Sequence, residues 1–286
     1  MKSHDAPQEV PALVECEWLR EHLDKQDIYL IEINRVSLDH YDTGHIPGAV
    51  GWNWKSALWD PNMREFPSPQ EFANRLSQAG ILPTTRIVVY GEPVQFGVYA
   101  WWALRYCGHE NTVLLNGGHR AWEARGYELT TDRPARRAEV DYPLQMRRGV
   151  MRASRNHVLE IIGDSDSCII DARSPEEYAG QALGSPDANH GAERFGRIPG
   201  AVHAYFEEFL DSEERFREPS EIRARLATIG ATSDKSHIAY CRLSHRASVA
   251  YFAMTQLLGY PDVRLYDGSW TEWGSMVGMP IEVPSD

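Results

Sequence analysis

The chain has 286 residues, 42% of them hydrophobic and 24% charged, which is the balance of a soluble globular protein with room for two domains. A formal net charge of −12 argues against general nucleic-acid binding, which needs a basic surface. No apolar run approaches the roughly 18 residues of a membrane span, so neither nucleic acid nor membrane is an expected partner.

The first eleven residues are polar and acidic and lack the apolar stretch of a signal peptide, so a cytoplasmic location is expected. Four cysteines are too few for a disulfide framework in a chain this long. None forms a C-x-x-C pair, and no His/Cys set has zinc spacing along the chain, so neither a metal nor another cofactor is expected.

The chain repeats itself at about half its length. Asp42-Thr43-Gly44-His45-Ile46-Pro47-Gly48-Ala49-Val50 recurs as Phe195-Gly196-Arg197-Ile198-Pro199-Gly200-Ala201-Val202. Arg86 to Gly91 recurs as Ser236 to Cys241, and Leu115 to Gly118 followed by Trp122 recurs as Tyr266 to Ser269 followed by Trp273. The shared order implies duplicated domains rather than a solenoid.

Within the first half, Leu13 to Leu23 reads as an amphipathic helix with Cys16 and Leu19 facing a core, and Ile28 to Ile33 as a strand. The Gly-His-Ile-Pro-Gly-Ala-Val segment is a turn and a short strand. Ser68-Pro69 opens a helix that Gly80 closes. Arg86 to Tyr90 is a strand, Phe96 to Tyr106 an apolar helix closed by Gly108, Thr112 to Leu115 a strand, and Gly118 to Ala124 a short helix. Residues 132–149 are polar, interrupted by Pro143, and read as a linker running partly extended between a domain over 1–131 and one over 150–286. The second half repeats the alternation: a helix over Arg155 to Ile162, a strand over Cys168 to Asp171, a helix within Glu218 to Ile229, a strand over His237 to Tyr240, and a helix over Val249 to Leu258. Alternating strands and helices imply α/β architecture, a parallel sheet covered on both faces. Gln181 to Gly196 has no counterpart in the first half and reads as a surface insertion.

One stretch carries chemistry. Cys241-Arg242-Leu243-Ser244-His245-Arg246-Ala247-Ser248 lies where a buried strand turns into a helix. Free N–H groups at a helix N-terminus stabilise anions, and with two guanidinium groups they favour thiolate over thiol. Arg242 and Arg246 would bring in an anion, Ser244 and Ser248 could offer hydroxyls, and His245 a ring N–H. Ser248 also reads as a helix-start residue. The repeat supplies a control: the first half has Gly91 at the cysteine position, followed by Glu92-Pro93-Val94-Gln95, without thiol or positive charge. Cys16, Cys107 and Cys168 read as small core residues on helices and at a strand start. Asp171, standing behind the site, is one further candidate; together with Arg173, Glu176 and Glu177 it otherwise reads as helix capping and surface charge. The Ile-Pro-Gly-Ala-Val segments read as structural turns.

These motifs together resemble the rhodanese family, in the tandem-domain form of thiosulfate and mercaptopyruvate sulfurtransferases. The resemblance spans nearly the whole chain. It rests on the two Ile-Pro-Gly-Ala segments, on Asp267-Gly268-Ser269-Trp270-Thr271-Glu272-Trp273-Gly274, and on Cys241 to Arg246 as a six-residue active-site loop. It implies two rhodanese-like domains with the first inactive, and no cofactor. It implies a Cys241 persulfide formed from a small anionic donor, with Arg242, Leu243, Ser244, His245 and Arg246 holding the substrate. Cyanide or a thiol, such as that of a thioredoxin-like protein, would then accept the sulfur.

A charged loop beginning Cys-Arg goes with thiosulfate in the family, and a Cys-Gly-Ser-Gly loop with mercaptopyruvate. Two departures stand out. Ser244 replaces a glycine, which would narrow the approach, and Glu177 stands where the family often has a substrate-binding arginine, a role left to Arg173, Arg194 or Arg197. The alternatives are mercaptopyruvate transfer, a cysteine-based phosphatase or arsenate reductase, and a non-catalytic sulfur carrier. The Cys-x4-Arg spacing is one residue shorter than the Cys-x5-Arg loop of the related phosphatase folds.

Overall fold

A computed structural model describes residues 11–183 and 192–283. It contains two five-stranded, wholly parallel sheets. The first is built from β1 (Leu13–Val14), β2 (Ile28–Asn34), β3 (Val50–Asn53), β4 (Arg86–Glu92) and β5 (Thr112–Leu115), in the order β1-β5-β4-β2-β3. The second repeats that order as β6-β10-β9-β7-β8, from β6 (Arg152–Ala153), β7 (Ser167–Asp171), β8 (Val202–His203), β9 (Ser236–Tyr240) and β10 (Val263–Tyr266). Strands buried on both faces need continuous apolar sequence, and β2 is buried at all seven positions.

The helices of the first half are α1 (Cys16–Arg20), α2 (Asp39–Thr43), α3 (Trp54–Leu58), α4 (Pro69–Gln78), α5 (Val94–Tyr106) and α6 (Gly118–Ala124). Those of the second are α7 (Arg155–Ile161), α8 (Pro175–Tyr178), α9 (Pro219–Thr228), α10 (His245–Phe252) and α11 (Ser269–Trp273). Ser68 opens α4 with a capping box closed by Glu71, and Gly80 follows it at φ +69°.

Two expectations fail at element ends. Leu13 to Leu23 is not one helix: Leu13 and Val14 pair with Leu114 and Leu115 as an edge strand, and α1 begins only at Cys16. Tertiary pairing outweighs helical periodicity there. The helix expected from Val249 starts four residues earlier at His245, and its last turn widens, with Leu258 N–H reaching Ala253 O. Arg246 therefore lies on the helix, not in a loop.

The segment 131–148 has no regular element and lies along the first half. Val140 N–H and Tyr142 N–H bond the Ser77 carbonyl and hydroxyl, and Arg148 N–H bonds Tyr106 O. The expected surface insertion 181–196 lies outside the described residues over 184–191, and most of the polar leader, residues 1–10, does too.

The two halves share their largest apolar core. It passes from β2 and β4 through α5 to α10 and on to β9 and β10. α5 is apolar on every side, as a helix must be when sandwiched between its own sheet and a second domain. Trp101 on α5 meets Phe252 on α10 edge-on at 4.6 Å. Smaller clusters cover the outer face of each sheet, under α1 and α6 in the first half and under α7 and α11 in the second.

Candidate active site

Cys241 follows β9 directly, at the carboxyl end of a central strand. Such ends, where helices begin, are where open parallel sheets hold their ligands. Its backbone is fixed from behind by α11. Cys241 N–H donates to Ser269 Oγ at 3.2 Å, Cys241 O accepts from Trp270 N–H at 2.9 Å, and Arg242 O accepts from Thr271 N–H at 3.1 Å and from Thr271 Oγ1 at 2.8 Å. The first helical bond of α10 is Ser248 N–H to Ser244 O at 2.8 Å. The N–H groups of His245, Arg246 and Ala247 therefore have no acceptor within the helix.

Ser244 turns the chain into α10 with φ +74°, the left-handed conformation that explains why a glycine is common at this point. Its hydroxyl donates to Asp267 O at 2.7 Å and the residue is fully buried. The side chain points into the fold, so it neither narrows the approach nor offers a hydroxyl to an anion. Ser248 is likewise buried, with its hydroxyl donating to His245 O at 2.7 Å. It is neither an anion donor nor a helix start. Leu243 is half-buried and packs on the shared core.

Arg246 is not open to ligand on both arms. It forms a bidentate pair with Glu177, Nη1 to Oε2 at 2.5 Å and Nη2 to Oε1 at 2.9 Å. Glu177 also closes the capping box of α8, so capping is one of its roles. Surface charge is not: Glu177 is 2% exposed. Burial opposes its ionisation, but the hydrogen bond and charge of Arg246 and the Ser174 N–H outweigh burial and hold its pKa below the ordinary glutamate value. Arg242 is half-buried, which lowers its pKa, and its guanidinium lies in the electrostatic range of Glu177, Arg246 and the Cys241 sulfur.

His245 is no solvent-facing donor. Its ring is enclosed by three aromatic rings of the first half, Trp54 and Phe96 at 4.3 Å and Tyr99 at 4.5 Å. Burial, and then the charges of Arg64, Arg246, Lys55 and Arg242, push its pKa well below the usual histidine value. The imidazole is neutral.

The residues expected behind the site are structural. Asp171 and Arg173 are fully buried, correcting the surface-charge reading. Arg173 Nε donates to Asp171 Oδ1 at 3.0 Å and Arg173 Nη2 to Oδ2 at 2.6 Å, with the guanidinium 4.5 Å from the Trp270 ring centre. Arg194 spends its guanidinium on the carbonyls of Trp273, Gly274, Met276 and Met279, tying down the C-terminal segment. Arg197 pairs with Glu282 and lies over Tyr178. All three guanidinium groups are thus engaged by the fold, against the expectation that one of them binds the substrate.

The charges missed from sequence come from the first half. Arg35 acts electrostatically on Arg242, and Lys55 and Arg64 on His245. Arg35 follows β2 and Lys55 follows β3, so the carboxyl ends of the first sheet's strands were the signal available. Asp267 was missed too: it is fully buried and takes Arg64, Tyr99 and Arg152 across the two halves.

In the first half the corresponding corner is closed. A Cβ on Gly91 would lie 2.2 Å from Gly97 N, so strand and helix backbones occupy the space a cysteine side chain needs. Cys16, Cys107 and Cys168 are buried, and burial pushes them to about 11, 12 and 11. They are neutral thiols in the core.

The model of the rhodanese-like domain matches this chain twice, over residues 15–125 and 154–276. The chain is a tandem-domain rhodanese-family sulfurtransferase. Among curated proteins it is 40% identical over 277 residues to the "Sulfur carrier protein TtuD" of Thermus thermophilus, covering 94% of this chain and 95% of that one. It is 38% identical over 276 residues to a "Putative thiosulfate sulfurtransferase" of Haloferax volcanii, covering 94% and 96%. Among solved structures, EanB with a cysteine persulfide in a tetrahedral intermediate state with ergothioneine superposes with a TM-score of 0.85 at 26% identity, over 96% of this rhodanese and 71% of EanB. Among the described residues no helix is long and apolar enough to cross a membrane.

Proposed function

We propose that this rhodanese moves a sulfane sulfur from thiosulfate to cyanide or a thiol through a persulfide on Cys241. The observation that carries the reading is the cationic setting of a single thiol: Arg242 and Arg246 both act on the Cys241 sulfur, and the free N–H groups of α10 begin four residues on. The Cys241 thiolate attacks the outer sulfur of thiosulfate. A new S–S bond forms, the S–S bond of thiosulfate breaks, and sulfite leaves with the electron pair. Cyanide then attacks the terminal sulfur of the persulfide, releasing thiocyanate and restoring the thiolate. Two half-reactions sharing a covalent intermediate give ping-pong kinetics. Arg242 and Arg246 favour thiosulfate, a compact dianion, over mercaptopyruvate, and the one-residue-shorter loop favours sulfur over phosphate.

The test is intact-mass measurement after thiosulfate, followed by cyanide. The wild-type chain should gain one sulfur atom and lose it again as thiocyanate. A second reading, sulfur carriage to a protein acceptor, is favoured by the likeness to TtuD. It gains if Cys241 takes up sulfur but cyanide yields no turnover.

Glu177 sets the strength of the anion site. Glu177→Gln keeps the shape and removes one negative charge beside Arg246. The KM for thiosulfate should fall by about 3- to 10-fold, up to roughly 1.4 kcal/mol of binding. Thermal stability should fall as well, since the paired charge is lost. A KM that stays constant or rises would remove Arg246 from the anion site.

A further inference from the structure

The first half keeps the buried carboxylate of the second but not its counter-charge. Glu32 in β2 stands beside Tyr90 as Asp171 in β7 stands beside Tyr240. The tyrosine hydroxyl donates to the carboxylate in both halves, Tyr90 to Glu32 Oε2 at 2.7 Å in the first. Asp171 is neutralised by Arg173 two residues on. The matching residue after Glu32 is Asn34, whose Nδ2 reaches only the Glu32 backbone carbonyl, at 3.4 Å. Arg173 lies over Trp270; the residue matching Trp270 is His119.

Glu32 is fully buried and its Oε1 has no hydrogen-bond partner. Two imidazoles face it. His40 Nδ1 lies 3.6 Å from Oε1, and His119 Nδ1 lies 3.9 Å from Oε2. His119 is 4% exposed, and its Nδ1 has no hydrogen-bond partner either. One ligand atom from each of the three residues lies within 4.8 Å of the other two. A tetrahedral zinc site needs its ligand atoms about 3.4 Å apart, so a contraction of up to about 1.4 Å brings the three together. His40, half-exposed, is free to supply it.

The surroundings suit a bound cation. Tyr90 orients Glu32 through one oxygen and leaves the other open. Glu123 Oε2 lies 3.5 Å from His119 Nε2, the carboxylate that a ligating histidine places behind its ring. His40 opens the cluster to solvent and provides an entry path. A buried carboxylate without a guanidinium needs a cation, and here that cation is a proton on an imidazole or a metal ion in its place.

We propose that Glu32, His40 and His119 form a binding site for one divalent transition-metal ion of the zinc type, with a fourth position open to water. The site does not rest on the sulfur-transfer reading. It lies at the carboxyl end of β2, in the half that has Gly91 where the other has Cys241.

The test is titration of chelator-treated protein with Zn2+ and with Co2+. It uses the wild type and Cys241→Ser, so that the reactive thiol is not mistaken for the ligand. Both should take up one ion per chain, and Co2+ should give the visible absorption of a four-coordinate centre. His40→Ala, at an exposed position that the fold does not need, should weaken binding by at least about tenfold, as should Glu32→Gln. Unchanged affinity in His40→Ala, loss of binding in Cys241→Ser alone, or no uptake by the wild type at micromolar metal would overturn the site.

Discussion

Replacing Cys241 with serine should abolish sulfur transfer while leaving the fold intact. The expected loss of thiocyanate turnover is at least about a thousandfold, the scale on which covalent nucleophiles are missed. Serine fits because the anchoring bonds of the loop are backbone bonds: Cys241 N–H to Ser269 Oγ and Cys241 O to Trp270 N–H persist whatever the side chain. The melting temperature should therefore move little. No other thiol can stand in, since burial holds Cys16, Cys107 and Cys168 in the neutral form. Residual turnover above a hundredth of wild type, or sulfur uptake by the serine variant, would move the site elsewhere.

Acid should destabilise the protein before its carboxylates titrate. Three histidines, His109, His237 and His245, have pKa values lowered by burial, His109 to about 4. In the unfolded chain each takes up a proton near pH 6.5. As pH falls below that value, the unfolded state binds protons that the folded state refuses, and stability is lost. A histidine that stays neutral in the fold contributes a slope of about 1.4 kcal/mol per pH unit between its folded and unfolded pKa values, so His109 alone accounts for roughly 3 kcal/mol between pH 6.5 and 4.

His119 has the opposite shift, raised because its interactions with Glu32 outweigh burial. Its contribution is complete below pH 6.5 and does not offset the slope there. Burial is what lowers the His109 pKa, and both ring nitrogens have partners inside the fold. Nε2 donates to Thr85 O at 3.0 Å, so Nδ1 accepts from Tyr142 O–H at 2.9 Å, and a second ring proton would force that hydroxyl to turn from donor to acceptor. Urea midpoints should drop steadily through this window, and His109→Gln should flatten the slope by one proton. A midpoint that stays flat would contradict the neutral assignment.

Much of this molecule was legible in its sequence because the chain contains its own comparison. The repeat marked two α/β halves, and Gly91 opposite Cys241 singled out one thiol among four. β5 and α6 fall where their apolar patterns and glycines placed them, since local signals and burial agree there. What stayed hidden depends on partners remote in sequence. Leu13 and Val14 look helical until β5 pairs with them. Glu177 looks like a surface capping residue until Arg246 meets it from 69 residues away. His245 looks solvent-facing until Trp54, Phe96 and Tyr99 close over it. The Glu32, His40 and His119 cluster escapes any spacing rule because its members come from a strand, a short helix and a second helix far along the chain.

The clamp on Asp267 bears on how such a chain can change over evolutionary time. Its fully buried carboxylate is held by Arg64 and Tyr99 of one half and Arg152 of the other. Shedding the first half would remove Arg64 and Tyr99 from that carboxylate, leave Arg152 as its one remaining partner in the clamp, and strip the aromatic wall from His245. The duplicated copy is thus no spare part. With Gly91 at the cysteine position, the first half serves the other as scaffolding, and recombination that exchanged either half for a distant relative's would have to replace both sides of the clamp together.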